Sequence, residues 1–239
     1  MLWQLVGLSI LGSIGGLIGG VVLIMRKNPF THSQSLLMVS FAAGVMLATA
    51  FLDILPEAGD PNWLAILSGI VLLFLLEKSL IWYHHHGDDC NSHTPLMITM
   101  GDTLHNFIDG IVMGATFLAN PATGLVTTLA IIAHEIPHEM ADFGVMLSLG
   151  WSKKKVFLTN FVSASVSIVG AVGVYYFGIV PLSLLLSFAG GMFIYLACSD
   201  LIPELHHAHI KAPVTNNFLQ IIVFGLGIVL VSVLGFILD

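Results

Sequence analysis

Apolar runs of about 20 residues alternate with short polar breaks along the whole chain. Coiled as an α-helix, a run of that length matches the hydrocarbon thickness of a bilayer. Eight such segments can be marked, at residues 3–25, 34–55, 63–83, 95–119, 122–149, 155–178, 181–204 and 216–238. The pattern predicts an all-α integral membrane protein of eight transmembrane helices, forming a single domain over residues 1–239. The breaks between segments are too short to hold a separate soluble domain. The first segment has neither a basic leader nor an A-x-A-like cleavage site, so it reads as a span rather than a signal peptide.

Two polar strings break the pattern at mid-segment. The fourth segment carries His105-Asn106-Phe107-Ile108-Asp109-Gly110, and the fifth carries His134-Glu135-Ile136-Pro137-His138-Glu139. Ionisable groups at that depth cost about 2.5–3.5 kcal/mol apiece. On a helical wheel Asp102, His105, Asn106, Asp109 and Met113 share one face of the fourth segment, opposite Leu104, Phe107, Ile111 and Leu118. On the fifth, His134, Glu135, His138, Glu139 and Asp142 share a broader face. The three acids of the fifth segment would cost on the order of 10 kcal/mol facing lipid. They must face water, each other or a cation. Imidazole and carboxylate donors suit a borderline or hard divalent ion such as zinc. Neither segment contains cysteine, which fits a site that must also release its ion.

Composition agrees with a membrane setting. The chain is 56% hydrophobic and 9% charged, against roughly 25% charged in soluble domains. The formal charge of −7 comes largely from acids within or at the ends of spans. Nothing in the charge pattern points to nucleic acid. With eight helices, Arg26, Lys27, Lys78, Lys153, Lys154, Lys155 and Lys211 all fall on one side. The positive-inside rule makes that side cytoplasmic and both termini extracytoplasmic. Cys90 and Cys198 do not indicate a disulfide framework, and Cys198 reads as a small buried apolar residue.

The two ends of the chain resemble each other. Asp53-Ile54-Leu55-Pro56-Glu57 closes the second segment and Asp200-Leu201-Ile202-Pro203-Glu204 closes the seventh. Those segments run in opposite directions, as in an inverted repeat pairing helices 1–3 with 6–8 around a central pair. Pro56, Pro137 and Pro203 free the carbonyls of Leu52, Ala133 and Ser199, and Pro137 predicts a kink beside the polar string. Asp53, Glu57, Asp200 and Glu204 are candidate pathway groups, with Met46 as a soft ligand and His207, beside His206 and His209, near the inner mouth. A further tract, His84, His85, His86, Asp88, Asp89, Cys90 and His93, fits weak metal binding or a solvated loop. Glycines 12, 15, 16, 19 and 20 permit close helix approach. Dimerisation, packing within the chain and a sliding surface all remain open for them.

These strings resemble the ZIP (Zrt-, Irt-like protein) metal transporters, in the branch reading HNFxDG and HExPHExxDF, here His105 to Gly110 and His134 to Phe143. The D-x-L-P-E and D-x-I-P-E strings also fit, so the resemblance runs from the first helix to the eighth, without the large extracellular domain of some relatives. It implies a three-two-three helical fold, often a homodimer, in a cell membrane. It implies movement of divalent metal into the cytoplasm, chiefly Zn2+, with Fe2+, Mn2+ and Cd2+ as further cargo. His105, Asn106, Asp109, His134, Glu135 and His138 carry over as ligands. Glu139 aligns where some branches have glycine. His134 favours zinc, since members with Glu there accept iron and manganese more readily. Some branches add a carboxylate from the sixth helix for a second ion, whereas this one has Asn160, Ser163 and Ser165. The resemblance also implies an elevator-like slide of the site-bearing helices. A rival reading takes His134-Glu135-Ile136-Pro137-His138 as H-E-x-x-H of an intramembrane zinc metalloprotease. It leaves the polar face of the fourth segment without a use. A metal-sensing receptor is a third reading.

Overall fold

A computed structural model describes residues 1–25, 32–84, 94–177, 181–207 and 214–238. Apart from short turns, these residues are helical. Helix α1 is Leu2–Met25, and α2 begins as His32–Ala48, widens into a π-helical turn at Thr49–Ile54 and ends with Leu55–Glu57. Next come α3 (Trp63–His84), α4 (Thr94–Ala119), α5 (Pro121–Ser148) and α6 (Lys153–Phe177). Helix α7 runs Leu182–Leu196, passes through a π-helical turn at Ala197–Leu201 and ends with Ile202–His207, and α8 is Val214–Leu238. Every segment expected from the apolar pattern is present, with ends displaced by at most three residues. Five helices, α1, α2, α6, α7 and α8, contain stretches long and apolar enough to cross a membrane. Helices α4 and α5 have the length but carry Asp102, Asp109, Glu135, Glu139 and Asp142 along their course.

The π-helical turns were not legible beforehand. Each lies just ahead of a proline, Pro56 or Pro203. Proline cannot donate to the carbonyl four residues back, and its ring crowds that oxygen. A locally widened turn relieves the clash. Pro137 behaves differently, because α5 stays α-helical across it.

The helices sort into two groups. In one, α1, α4, α5 and α6 pack on each other, the tightest pairs being α4 with α6 and α1 with α5. In the other, α2 packs on α8, α3 on α7, and α2 on α7. The groups meet where α2 touches α5 and where α4 touches α7. Glycines bring the backbones together. Gly110 faces the Ser167 carbonyl and Gly170 the Phe107 carbonyl, so each of α4 and α6 contributes one. Gly44 and Gly227 do the same between α2 and α8, as do Gly69 and Gly191 between α3 and α7. The glycine stripe of α1 lies against α5, where a Cβ at Gly16 would stand 2.8 Å from the Glu135 Cβ. Packing within the chain therefore occupies the stripe that had also suggested dimerisation. The outer surface is apolar, with Trp3, Ile14, Val162, Phe218, Ile221 and Phe236 exposed, as expected of side chains meeting lipid. Cys198 is exposed too, contrary to the expectation of burial, because α7 turns that position outward within its π-helical segment.

Candidate metal centre

The centre begins with a sharp connection. Asn120 is the only residue between α4 and α5. Its backbone N–H donates to the Thr116 carbonyl at 2.9 Å, and its side-chain oxygen accepts from the Ala122 N–H at 2.9 Å. Pro121 occupies the first turn of α5, where no amide hydrogen is needed. Such a hairpin sets the two helices antiparallel with fixed register. His105 lies fifteen residues before Asn120 and Glu135 fifteen after it. At about 1.5 Å per residue both stand some 22 Å from the turn, so the two polar strings are level.

Four side chains converge there. His105 Nε2 lies 3.1 Å from His134 Nε2, 3.1 Å from Glu135 Oε1 and 3.8 Å from Asp109 Oδ2. His134 Nε2 lies 3.2 Å from Asp109 Oδ2 and 3.6 Å from Glu135 Oε1. Donors bonded at about 2.1 Å to a tetrahedral zinc ion stand about 3.4 Å apart, and the observed separations bracket that value. Asp109, His134 and Glu135 are almost fully buried. His134 Nδ1 lies 3.2 Å from the Ala130 carbonyl, an acceptor only, so Nδ1 carries the proton and Nε2 keeps its lone pair. Apart from the two imidazole nitrogens, no hydrogen-bond donor reaches Asp109 Oδ1, Asp109 Oδ2 or Glu135 Oε1. Two imidazole nitrogens and the carboxylate oxygens thus face one another, with few protons to share among them, in a largely buried volume. Such an arrangement is repulsive until a cation or protons occupy the gap. Two imidazoles and two carboxylates are a zinc-type donor set.

The other expected ligands divide. Asn106 Nδ2 donates to Asp102 Oδ1 at 2.8 Å and to the Asp102 carbonyl at 3.0 Å, leaving its Oδ1 as the atom available to a cation. The His138 ring stacks on His105, with centroids 5.2 Å apart, but its donor atom groups with Asp102 and Asp142 rather than with the first four. Glu139 is fully buried with neither oxygen hydrogen-bonded, and groups with Asp102 and Glu135. Met46 is fully buried in the apolar core. The Asp53 Oδ1 atom lies beside Gly235 of α8. Glu57 accepts from Asn120 Nδ2 at 3.3 Å and from Thr123 Oγ1 at 3.2 Å, at the α4–α5 turn. The backbones of Asp200, Glu204 and His207 are helical, but their side chains lie outside the described residues, as do residues 85–93 and His209.

Several contributors were not anticipated. Phe193 of α7 meets the His134 ring edge-on at 6.2 Å and is itself fully buried. Thr103 and Ser163 tie α4 to α6 at 2.9 Å. Asn160 turns away, donating to the Val156 carbonyl at 2.8 Å. A cavity of about 340 Å³ opens beside the centre, lined by Glu77, Asp102, His105, His138, Asp142 and Tyr195 among others. Tyr195 donates to Glu77 across it at 2.5 Å. Of Phe193, Thr103, Tyr195 and Glu77, which were not anticipated, only Glu77, an acid near the end of an apolar run, gave any signal in the sequence.

The protease reading is not supported by this geometry. In an H-E-x-x-H site both histidines hold the metal while the glutamate activates water. Here Glu135 lies inside the donor group, and His138 points to a different one.

Fold and donor set together define a helical protein, with helices long and apolar enough to cross a membrane and a candidate cation centre between two central helices. Its family is a transporter family: the ZIP Zinc transporter model matches residues 92–235, and the chain belongs to that family. It is 40% identical to mouse Zinc transporter ZIP4 over 124 residues, covering 50% of this chain and 18% of that protein. It is 34% identical to human Zinc transporter ZIP10 over 180 residues, 64% of this chain and 21% of the relative. With rat Metal cation symporter ZIP8 it shares 40% identity over 111 residues, 46% of this chain and 24% of the relative. The matched stretches thus span about a fifth of the length of these relatives.

Proposed function

We propose that this chain moves divalent cations, chiefly zinc, across a cell membrane into the cytoplasm. The ion binds His105, Asp109, His134 and Glu135, with Asn106 and His138 alongside. The observation that carries this reading is the convergence of four donor atoms at 3.1–3.8 Å from two helices joined by one residue. The names of the relatives agree with it.

The path follows from the packing. All eight helices span the bilayer in a three-two-three inverted repeat. Exchanging α1 with α6 and α4 with α5 turns the α1–α5 contact into the α6–α4 contact, and α2–α8 likewise maps onto α7–α3. The matching π-helical turns of α2 and α7 support the same symmetry. Lys78 and Lys153–Lys155 put the cavity end on the cytoplasmic side and both termini outside. Glu57, fastened to Asn120 and Thr123, closes the outer end. The group of α1, α4, α5 and α6 carries the ion past the group of α2, α3, α7 and α8. A homodimer, if formed, uses a face other than the α1 glycines.

Uptake of radioactive zinc into liposomes holding the purified protein tests the function. Flux is expected, and Fe2+, Mn2+ and Cd2+ should compete with zinc to graded extents. Zinc binding with no flux would favour a receptor instead.

A further inference from the structure

The four converging donors all stand on α4 and α5, yet the wall behind one of them comes from the other helix group. Phe193 of α7 sets its ring against the His134 ring, with centroids 6.2 Å apart and planes at 77°. Edge-to-face contact is a favoured arrangement of two rings at that separation. Phe193 is fully buried, in a core that also holds Ala48 of α2, Val112 and Met113 of α4 and Ile131 of α5. Interiors packed in this way leave a ring little room to swing aside.

His134 itself is 3% exposed and is held at three points. Its Nδ1 lies 3.2 Å from the Ala130 carbonyl, and the His105 ring meets it at 5.3 Å and 89°. Phe193 is the third point. A hydrogen bond to one nitrogen restrains that atom but not the plane of the ring, and the outer torsion of histidine is soft. Packing must therefore set the plane.

We infer that Phe193 is a positioning residue for the ion. It fixes the His134 plane so that Nε2 faces Asp109 and Glu135, and it keeps water from that side of the ring. This deepens the proposed transport reading and rests on it. Phe193 belongs to the group past which the ion is carried, so the ring contact exists at one stage of the movement and the grip on the ion changes with the helices. The effect is selective among metals. Zinc gains from a well-aimed imidazole, whereas manganese is content with oxygen donors.

The test measures Zn2+ and Mn2+ affinity of the purified full chain in nanodiscs by equilibrium dialysis. Phe193→Leu should weaken zinc binding about tenfold or more, as loss of a ligand's support does elsewhere, and weaken manganese binding much less. Phe193→Met fills similar space without a ring and should give the same result if Phe193→Leu does not fold, which thermal unfolding reports. In a His134→Glu background no ring remains to be aimed, so adding Phe193→Leu should change neither affinity further. Unchanged zinc affinity, equal losses for both metals, or a further loss in the His134→Glu background would overturn the role of Phe193 and leave the four-donor site intact. Zinc bound as tightly by His105→Ala as by the wild type would instead sink the site and the transport reading with it.

Discussion

The chemistry at the residue scale rests on one tautomer. The Ala130 carbonyl fixes the proton on His134 Nδ1 and leaves the Nε2 lone pair facing His105, Asp109 and Glu135. His134→Ala or His105→Ala should therefore abolish zinc uptake while the protein still reaches the membrane, read by flux and surface labelling together. His134→Glu should keep a four-donor site but harden it, raising the competition of iron and manganese against zinc. Acid should weaken binding, because protons and zinc compete for the same nitrogen and oxygen lone pairs. Zinc affinity measured at about pH 5 should be lower than at about pH 7.5, since imidazole changes charge across that interval; equal affinities would count against histidine ligation. Much of this centre was legible from periodicity, since a 3.6-residue repeat puts His105, Asn106 and Asp109 on one face. The partition of Asn106 and His138 was not. It depends on side-chain rotamers and on how α5 is rotated, neither of which leaves a mark in the spacing.

Among the elements, α1 is the buttress behind the site. Its glycines let α5 come close enough for Glu135 to be held from behind. Gly16→Leu would drive a side chain into the Glu135 stem, and overpacking of this kind costs about 1–3 kcal/mol. The expected outcome is a lower melting temperature in detergent together with weakened zinc binding, while helical content by circular dichroism stays near that of the wild type. The segments themselves could be read from apolar length alone, to within three residues. The partner of each helix could not, because small residues announce close approach without saying to whom. The prolines of α2 and α7 advertised a disturbance, yet whether it becomes a kink or a widened turn is decided by packing.

For the molecule as a whole, the proposed orientation makes the cavity between the two helix groups open toward the cytoplasm. Ser199 lines that cavity. With Cys90 and Cys198 replaced, a cysteine at position 199 should react with a membrane-impermeant maleimide in inside-out vesicles, and far less in right-side-out ones. Equal labelling from both faces would contradict the orientation. The opposite end tells the complementary story. Glu57 joins the tip of α2 to the α4–α5 turn through two donors, so one side chain staples the two helix groups together. In the proposed movement, an excursion that admits an ion from outside would first strip an anion of both companions. On that proposal the strength of the clasp would set how long the protein waits between loads, and Thr123→Val, by removing one of its teeth, should shorten the wait and raise the rate of zinc uptake.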